Sequence, residues 1–127
     1  MLQLQGRWQM VQELAHTREV FIETNGTIDV PVSVGVWVTC APKPPKYEIK
    51  PRWIQEVKLV VTEELLGNID EFTRILQKVE YDSLGCSYYY LQPCDNDLEV
   101  AKHIVEALPY FPRWRLGLQL HKLLDVR

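Results

Sequence analysis

Two runs carry polar side chains where buried strands should end. In FIETNGT, residues 21–27, the strand formers Phe21 and Ile22 are followed by Glu23, Thr24 and Asn25, and Gly26 then closes the run. A carboxylate, a hydroxyl and an amide at one strand end suit ligand binding or acid–base work. They equally suit an ordinary turn, because Asn-Gly is a common turn pair. The second run, WRLGLQLHKLL, residues 114–124, alternates: Leu116, Leu118 and Leu120 share one face, and Arg115, Gly117, Gln119 and His121 share the other. A glycine, an amide and an imidazole in succession look like a pocket lining, with Gly117 leaving room against the backbone.

Two more strand ends follow suit. VWVTCAPK runs out through Ala41, Pro42 and Lys43, and SYYYLQPCD through Gln92, Pro93, Cys94 and Asp95. Read singly, Lys43 is a solvated loop lysine, Gln92 a partner for backbone groups, Asp95 a helix cap and His121 a surface histidine. Read together, all but one of the strand ends carry polar groups on the side where parallel sheets bind ligands. The chemistry on offer is binding chemistry. There is no nucleophile elbow, no glycine-rich phosphate loop and no H-E-x-x-H, and no residue is assigned a catalytic role. Glu23 and His121 could act as an acid–base pair if the fold brings them together.

The elements that must position these residues alternate. Leu4, Trp8, Val11 and Leu14–Ala15 predict a helix over 3–15. Strands are predicted over 19–24, 36–41, 56–62, 87–94 and 114–124. The stretch 42–51 holds four prolines in PKPPKYEIKP and must be a stiff loop. Ile69, Phe72, Ile75, Leu76 and Val79 predict a helix with Asn68 as N-cap, and 95–108 predicts a second, opened by acidic and amide residues. Apolar strands alternating with amphipathic helices predict an α/β fold, a mostly parallel sheet with helical cover.

The chain has 127 residues, enough for a single domain over 1–127 with a real core. A net charge of −3 gives no electrostatic reason to expect nucleic acid or an anionic membrane as partner. No apolar run is long enough to span a bilayer, and MLQLQGRWQMVQELAH lacks the layout of a signal peptide, so a cytoplasmic location is expected. The three cysteines, Cys40, Cys86 and Cys94, are odd in number and form no C-x-x-C pair. They write neither a disulfide framework nor a metal site.

VFIETNGT, VTCAPK, YYYLQPCD and RWRLGLQLHKLLDVR resemble the C-terminal half of the 7-carboxy-7-deazaguanine synthases, with the closing R-L-G-L-Q-x-H-K the most specific part. These are radical S-adenosylmethionine (SAM) enzymes of queuosine and 7-deazapurine biosynthesis. The resemblance runs from about Glu19 to Arg127. It implies a partial TIM-like barrel. It also implies, for the complete family, a [4Fe–4S] cluster, SAM and Mg²⁺, and the conversion of 6-carboxytetrahydropterin to 7-carboxy-7-deazaguanine with loss of ammonia. It places the family's SAM contacts on Ala41, Pro42 and Lys43 and on Gln92, Pro93, Cys94 and Asp95. Thr24 and Asn25 fall beside SAM, Glu23 beside the substrate, and His121, Lys122 and Arg127 near the pterin.

The departures shape the expectation. Ala41 stands where the family has serine, and the sequence has no counterpart of the cluster-binding cysteine loop or the G-G-E-P motif. The three cysteines do not replace that loop, because a cluster needs thiolates brought together at one site. The chain is therefore expected to be a fragment or truncated form, to hold no cofactor firmly by itself and to lack radical chemistry alone. Two other readings stay open: one subunit of a split enzyme, or a binding module that has lost the reaction. An unrelated α/β nucleotide-binding domain would show a flavodoxin-like strand order. The edge at Glu19–Thr24 is expected to be open and to be hidden in a homodimer, or else under the first helix.

Overall fold

The computed structural model describes residues 2–16, 18–31 and 35–119. Five strands, β1 (Val20–Thr24), β2 (Val36–Cys40), β3 (Glu56–Val61), β4 (Tyr88–Pro93) and β5 (Trp114–Leu116), form one sheet. Every pairing is parallel and the order is β1-β2-β3-β4-β5. Each strand lies beside its predecessor, so the sheet winds in one direction. A flavodoxin-like sheet would reverse at a switch point, and this one does not. The register lines up apolar rungs, with Leu59 opposite Leu91 and Leu91 opposite Leu116.

Helices α1 (Leu2–Ala15), α2 (Glu63–Leu66), α3 (Ile69–Asp82) and α4 (Leu98–Ala107) accompany the sheet. Phe72, Ile75, Leu76 and Val79 of α3 and Val100, Ala101 and Ile104 of α4 are buried. They share the core with Val57, Leu59, Val61, Tyr89 and Leu91 of the sheet. Trp8, Val11 and Ala15 of α1 also pack on this core, whereas Leu14, expected on the same face, is exposed.

The links β1–β2 and β2–β3 carry no helix among the described residues, and loop side chains take its place. Val30, Tyr47 and Ile54 are buried in the core. The proline loop is tied down by Tyr47 N donating to Lys43 O at 2.9 Å and Lys50 N to Gly26 O at 2.9 Å. Gly26 has φ +85°, and a Cβ there would meet Glu48 O at 2.0 Å, so only glycine fits this turn.

Several boundaries differ from the sequence expectation. A separate short helix, α2, precedes the predicted one, because Thr62 Oγ1 accepts from Leu65 N at 3.2 Å and starts its own turn. Asn68 caps α3 as expected, accepting from Glu71 N at 3.2 Å, but Ile69 is exposed. The helix predicted from 95 starts at Leu98, and its cap is Asp97, which accepts from Glu99 N at 2.9 Å. Asp95 is thus not the cap. Residues 94–96 form their own turn, with Asp95 and Asn96 left-handed at φ 54° and 55°.

The strand predicted over 114–124 pairs only to Leu116, with Gly117 N still donating to Leu91 O at 2.9 Å. The next rung of a parallel ladder would need an N–H from residue 93, which proline lacks. The part of that run beyond Gln119 lies outside the described residues.

Candidate ligand site at the carboxyl ends of the strands

Strand alternation gives the sheet two unlike faces. Val57, Leu59 and Val61 of β3 point into the core, which leaves Glu56, Lys58 and Val60 on the other face. Tyr88, Tyr90 and Gln92 of β4 share that second face. There, at the carboxyl ends, lies a cavity of about 330 Å³. It is lined by Glu23, Thr39, Ala41, Lys43, Lys58, Val60, Gln92, Pro93, Cys94, Asp95 and Gln119. A smaller cavity of about 190 Å³ adjoins it and shares Lys58, Gln92 and Gln119; Gly117 contributes to its wall. A Cβ on Gly117 would come within 3.4 Å of Tyr90 Cβ, so the glycine keeps that wall open beside the ring.

Most residues predicted from separate strand ends therefore meet at one place: Glu23, Ala41, Lys43, Gln92, Pro93, Cys94 and Asp95. Gln92 is nearly buried, with its amide at the cavity wall. Cys94 Sγ lies 3.8 Å from Asp95 Oδ2. Lys58 Nζ lies 3.6 Å from Glu56 Oε1 and 4.0 Å from Glu23 Oε1, which balances charge across the floor. The cavity thus offers two ammonium groups, two carboxylates and two amides, the donor and acceptor set for a zwitterionic ligand with hydrogen-bonding edges.

Three predicted residues do not line it. Pro42 is buried beside it. Thr24 Oγ1 accepts from Gly26 N at 3.1 Å, and Asn25 Oδ1 accepts from Thr27 N at 3.1 Å and Thr27 Oγ1 at 2.7 Å. Those two side chains serve the turn. His121, Lys122 and Arg127 lie outside the described residues. Thr39, Lys58 and Val60 were missed. The alternation in EVKLVV places Lys58 opposite the core face, and that was the available signal for it.

A larger cavity lies elsewhere. About 730 Å³ opens on the helical side, lined by Leu66, Ile69, His103, Glu106, Tyr110, Phe111 and neighbours. Size would favour it, but parallel sheets bind ligands at strand ends, and none of the candidate site residues borders it. Two of the three thiols are held away from the thiolate form. Burial, with the nearby Cys86 second, pushes the Cys40 thiol up to about 12. Burial also raises Cys86, against hydrogen bonds with backbone groups of Tyr88 and Val57. Among the described residues no three His, Cys, Asp or Glu side chains gather as metal ligands. No described helix is long and apolar enough to cross a membrane.

Fold and site define an α/β protein whose parallel sheet winds in one direction and keeps a polar cavity beyond its strand ends. The chain is a homologue of the 7-carboxy-7-deazaguanine synthases. It is 37% identical over 112 residues to the 7-carboxy-7-deazaguanine synthase of Bacteroides thetaiotaomicron, covering 85% of this chain and 50% of that protein. It is 33% identical over 112 residues to the enzyme of that name from Bradyrhizobium diazoefficiens, covering 86% and 47%. With that of Nitratidesulfovibrio vulgaris it shares 34% identity over 117 residues, covering 88% and 49%. The chain thus spans about half the length of the curated relatives it matches. No family model and no solved structure matches it.

Proposed function

We propose that this chain supplies the C-terminal, ligand-binding half of a 7-carboxy-7-deazaguanine synthase-type radical SAM enzyme, and that the strand-end cavity takes SAM with the pterin beside it. The observation that carries this reading is the convergence of Glu23, Ala41, Lys43, Gln92, Pro93, Cys94 and Asp95 on one cavity. The chemistry matches SAM. Lys43 and Lys58 suit its carboxylate, Asp95 and Glu23 its ammonium group, and the Gln92 amide the edge of a base or a ribose hydroxyl. In such an enzyme, SAM bound at a reduced [4Fe–4S] cluster supplies the one-electron chemistry that starts the rearrangement. The described residues do not fit that cluster, since it needs three thiolates brought together and no three His, Cys, Asp or Glu side chains gather among them. The chain's own work is to bind, orient and exclude water. Free cysteines without partners suit a cytoplasmic setting.

Association belongs to the same reading. The sheet's second face carries an aromatic row: Phe21 lies 6.5 Å from Trp37, and Trp37 stacks on Tyr88 at 6.1 Å. Phe21 is 68% exposed, on edge strand β1. Apolar surface beside an unpaired edge favours cover by another chain: an N-terminal half, or a second copy where none is present. Sedimentation velocity should show a dimer for the chain alone at micromolar concentration. A monomer that persists as concentration rises would remove the self-association.

The function itself is tested in trans. The chain is mixed anaerobically with the N-terminal half of the Bacteroides relative, iron, sulfide and a reductant, and turnover of 6-carboxytetrahydropterin is followed. Product formed only when both halves are present supports the reading. A stable iron–sulfur spectrum from this chain alone, or no association between the halves, contradicts it.

A further inference from the structure

We propose that Asn96 is a positioning residue whose side-chain amide ties the exit of β4 to the exit of β5 and so holds Gln119 in the wall of the cavity that Asp95 also lines. Pro93 removes the N–H that would continue the β4–β5 ladder, and the chain then turns through two left-handed residues. The backbone at Gln119 is held instead by a side chain. Asn96 Nδ2 donates to Gln119 O at 2.8 Å, and Gln119 N donates to Asn96 Oδ1 at 3.0 Å. An asparagine amide presents one donor and one acceptor side by side, as a peptide group does, so it stands in for the missing rung. Asn96 is almost fully buried while Asp95, next to it, is exposed and lines the cavity. Asparagine also tolerates the left-handed backbone at φ 55° that most residues resist. Aspartate lacks the donor, and glycine accepts the backbone but lacks both groups.

That comparison separates the tie from the turn. The role in ligand binding rests on the strand-end cavity being the SAM site, while the tie itself does not. Asn96→Gly keeps the left-handed turn and loses both bonds; Asn96→Asp keeps only the acceptor. Amide hydrogen exchange is read by NMR at Gln119, with the Leu91 and Ile104 amides as core references. In Asn96→Gly, exchange at Gln119 is expected to accelerate by on the order of tenfold or more while the references hold. The dissociation constant for SAM, measured by calorimetry, is expected to rise by about tenfold. Unchanged exchange at Gln119, or acceleration of all three amides together, overturns the tie. Faster Gln119 exchange with unchanged SAM affinity overturns the positioning role. A wild-type chain that fails to bind SAM refutes the site reading alone, and the Gln119 exchange then decides the tie without it.

Discussion

The two faces of this sheet are built from the same strands and do opposite things. On β3, Val57, Leu59 and Val61 are fully buried under helices, while Glu56, Lys58 and Val60 between them are only half-buried. One face is filled with side chains that have no alternative use. The other keeps charges and amides at the wall of a cavity. If the proposed site holds, stability and binding separate residue by residue along a single strand.

The largest expected effect lies on the filled face. Phe72 is fully buried and packs edge-on against Phe111 at 5.5 Å. Phe72→Ala should cost about 3–5 kcal/mol in urea unfolding, from lost transfer energy and the cavity left behind. A loss under about 1 kcal/mol would mean that the helical face is not the core.

The next effect is alkaline. The Cys40 thiol titrates near 9.0 when unfolded and near about 12 when folded. Below pH 9 both states hold the proton and the stabilisation is complete. Between those values only the folded state keeps it, so stability falls by about 1.4 kcal/mol per pH unit. Cys40→Ala should remove that slope between pH 9 and 10, leaving the smaller contribution of the raised Cys86 thiol. Identical slopes in variant and wild type would show that Cys40 is not held protonated by the fold.

On the open face the same kind of change should be nearly silent. Lys58 is 38% exposed at its side chain and pairs with Glu23 and Glu56 at 4.0 and 3.6 Å. Partly exposed pairs of this kind are worth about 0–1 kcal/mol. Lys58→Met should therefore shift stability by less than about 1 kcal/mol while weakening SAM binding. A large loss of stability with no change in binding would erase the distinction between the faces.

Much of this was legible in the sequence because period-two alternation and helical spacing survive folding. The strands β1 to β4, the Asn68 cap of α3 and the polar strand ends could all be read from such patterns, whereas the cap of α4 fell on Asp97 and not on Asp95. What escaped were features set by tertiary context. The α2 turn is a local exception, a single turn started by the Thr62 side chain just before the helix that Asn68 caps. The early end of β5 depends on a proline in the neighbouring strand, and the Asn96 tie joins residues 23 positions apart. Asn25 read singly as a turn residue and only through the convergence of strand ends as a ligand residue, and its hydrogen bonds to Thr27 serve the turn.

The most direct test of the central claim is an amide and side-chain NMR titration of the chain with SAM. The account predicts weak, saturable shifts centred on Thr39, Lys43, Lys58, Gln92, Asp95 and Gln119, with His103, Glu106 and Tyr110 on the helical side unmoved. Shifts centred on that helical cavity, or none at millimolar ligand, would contradict it.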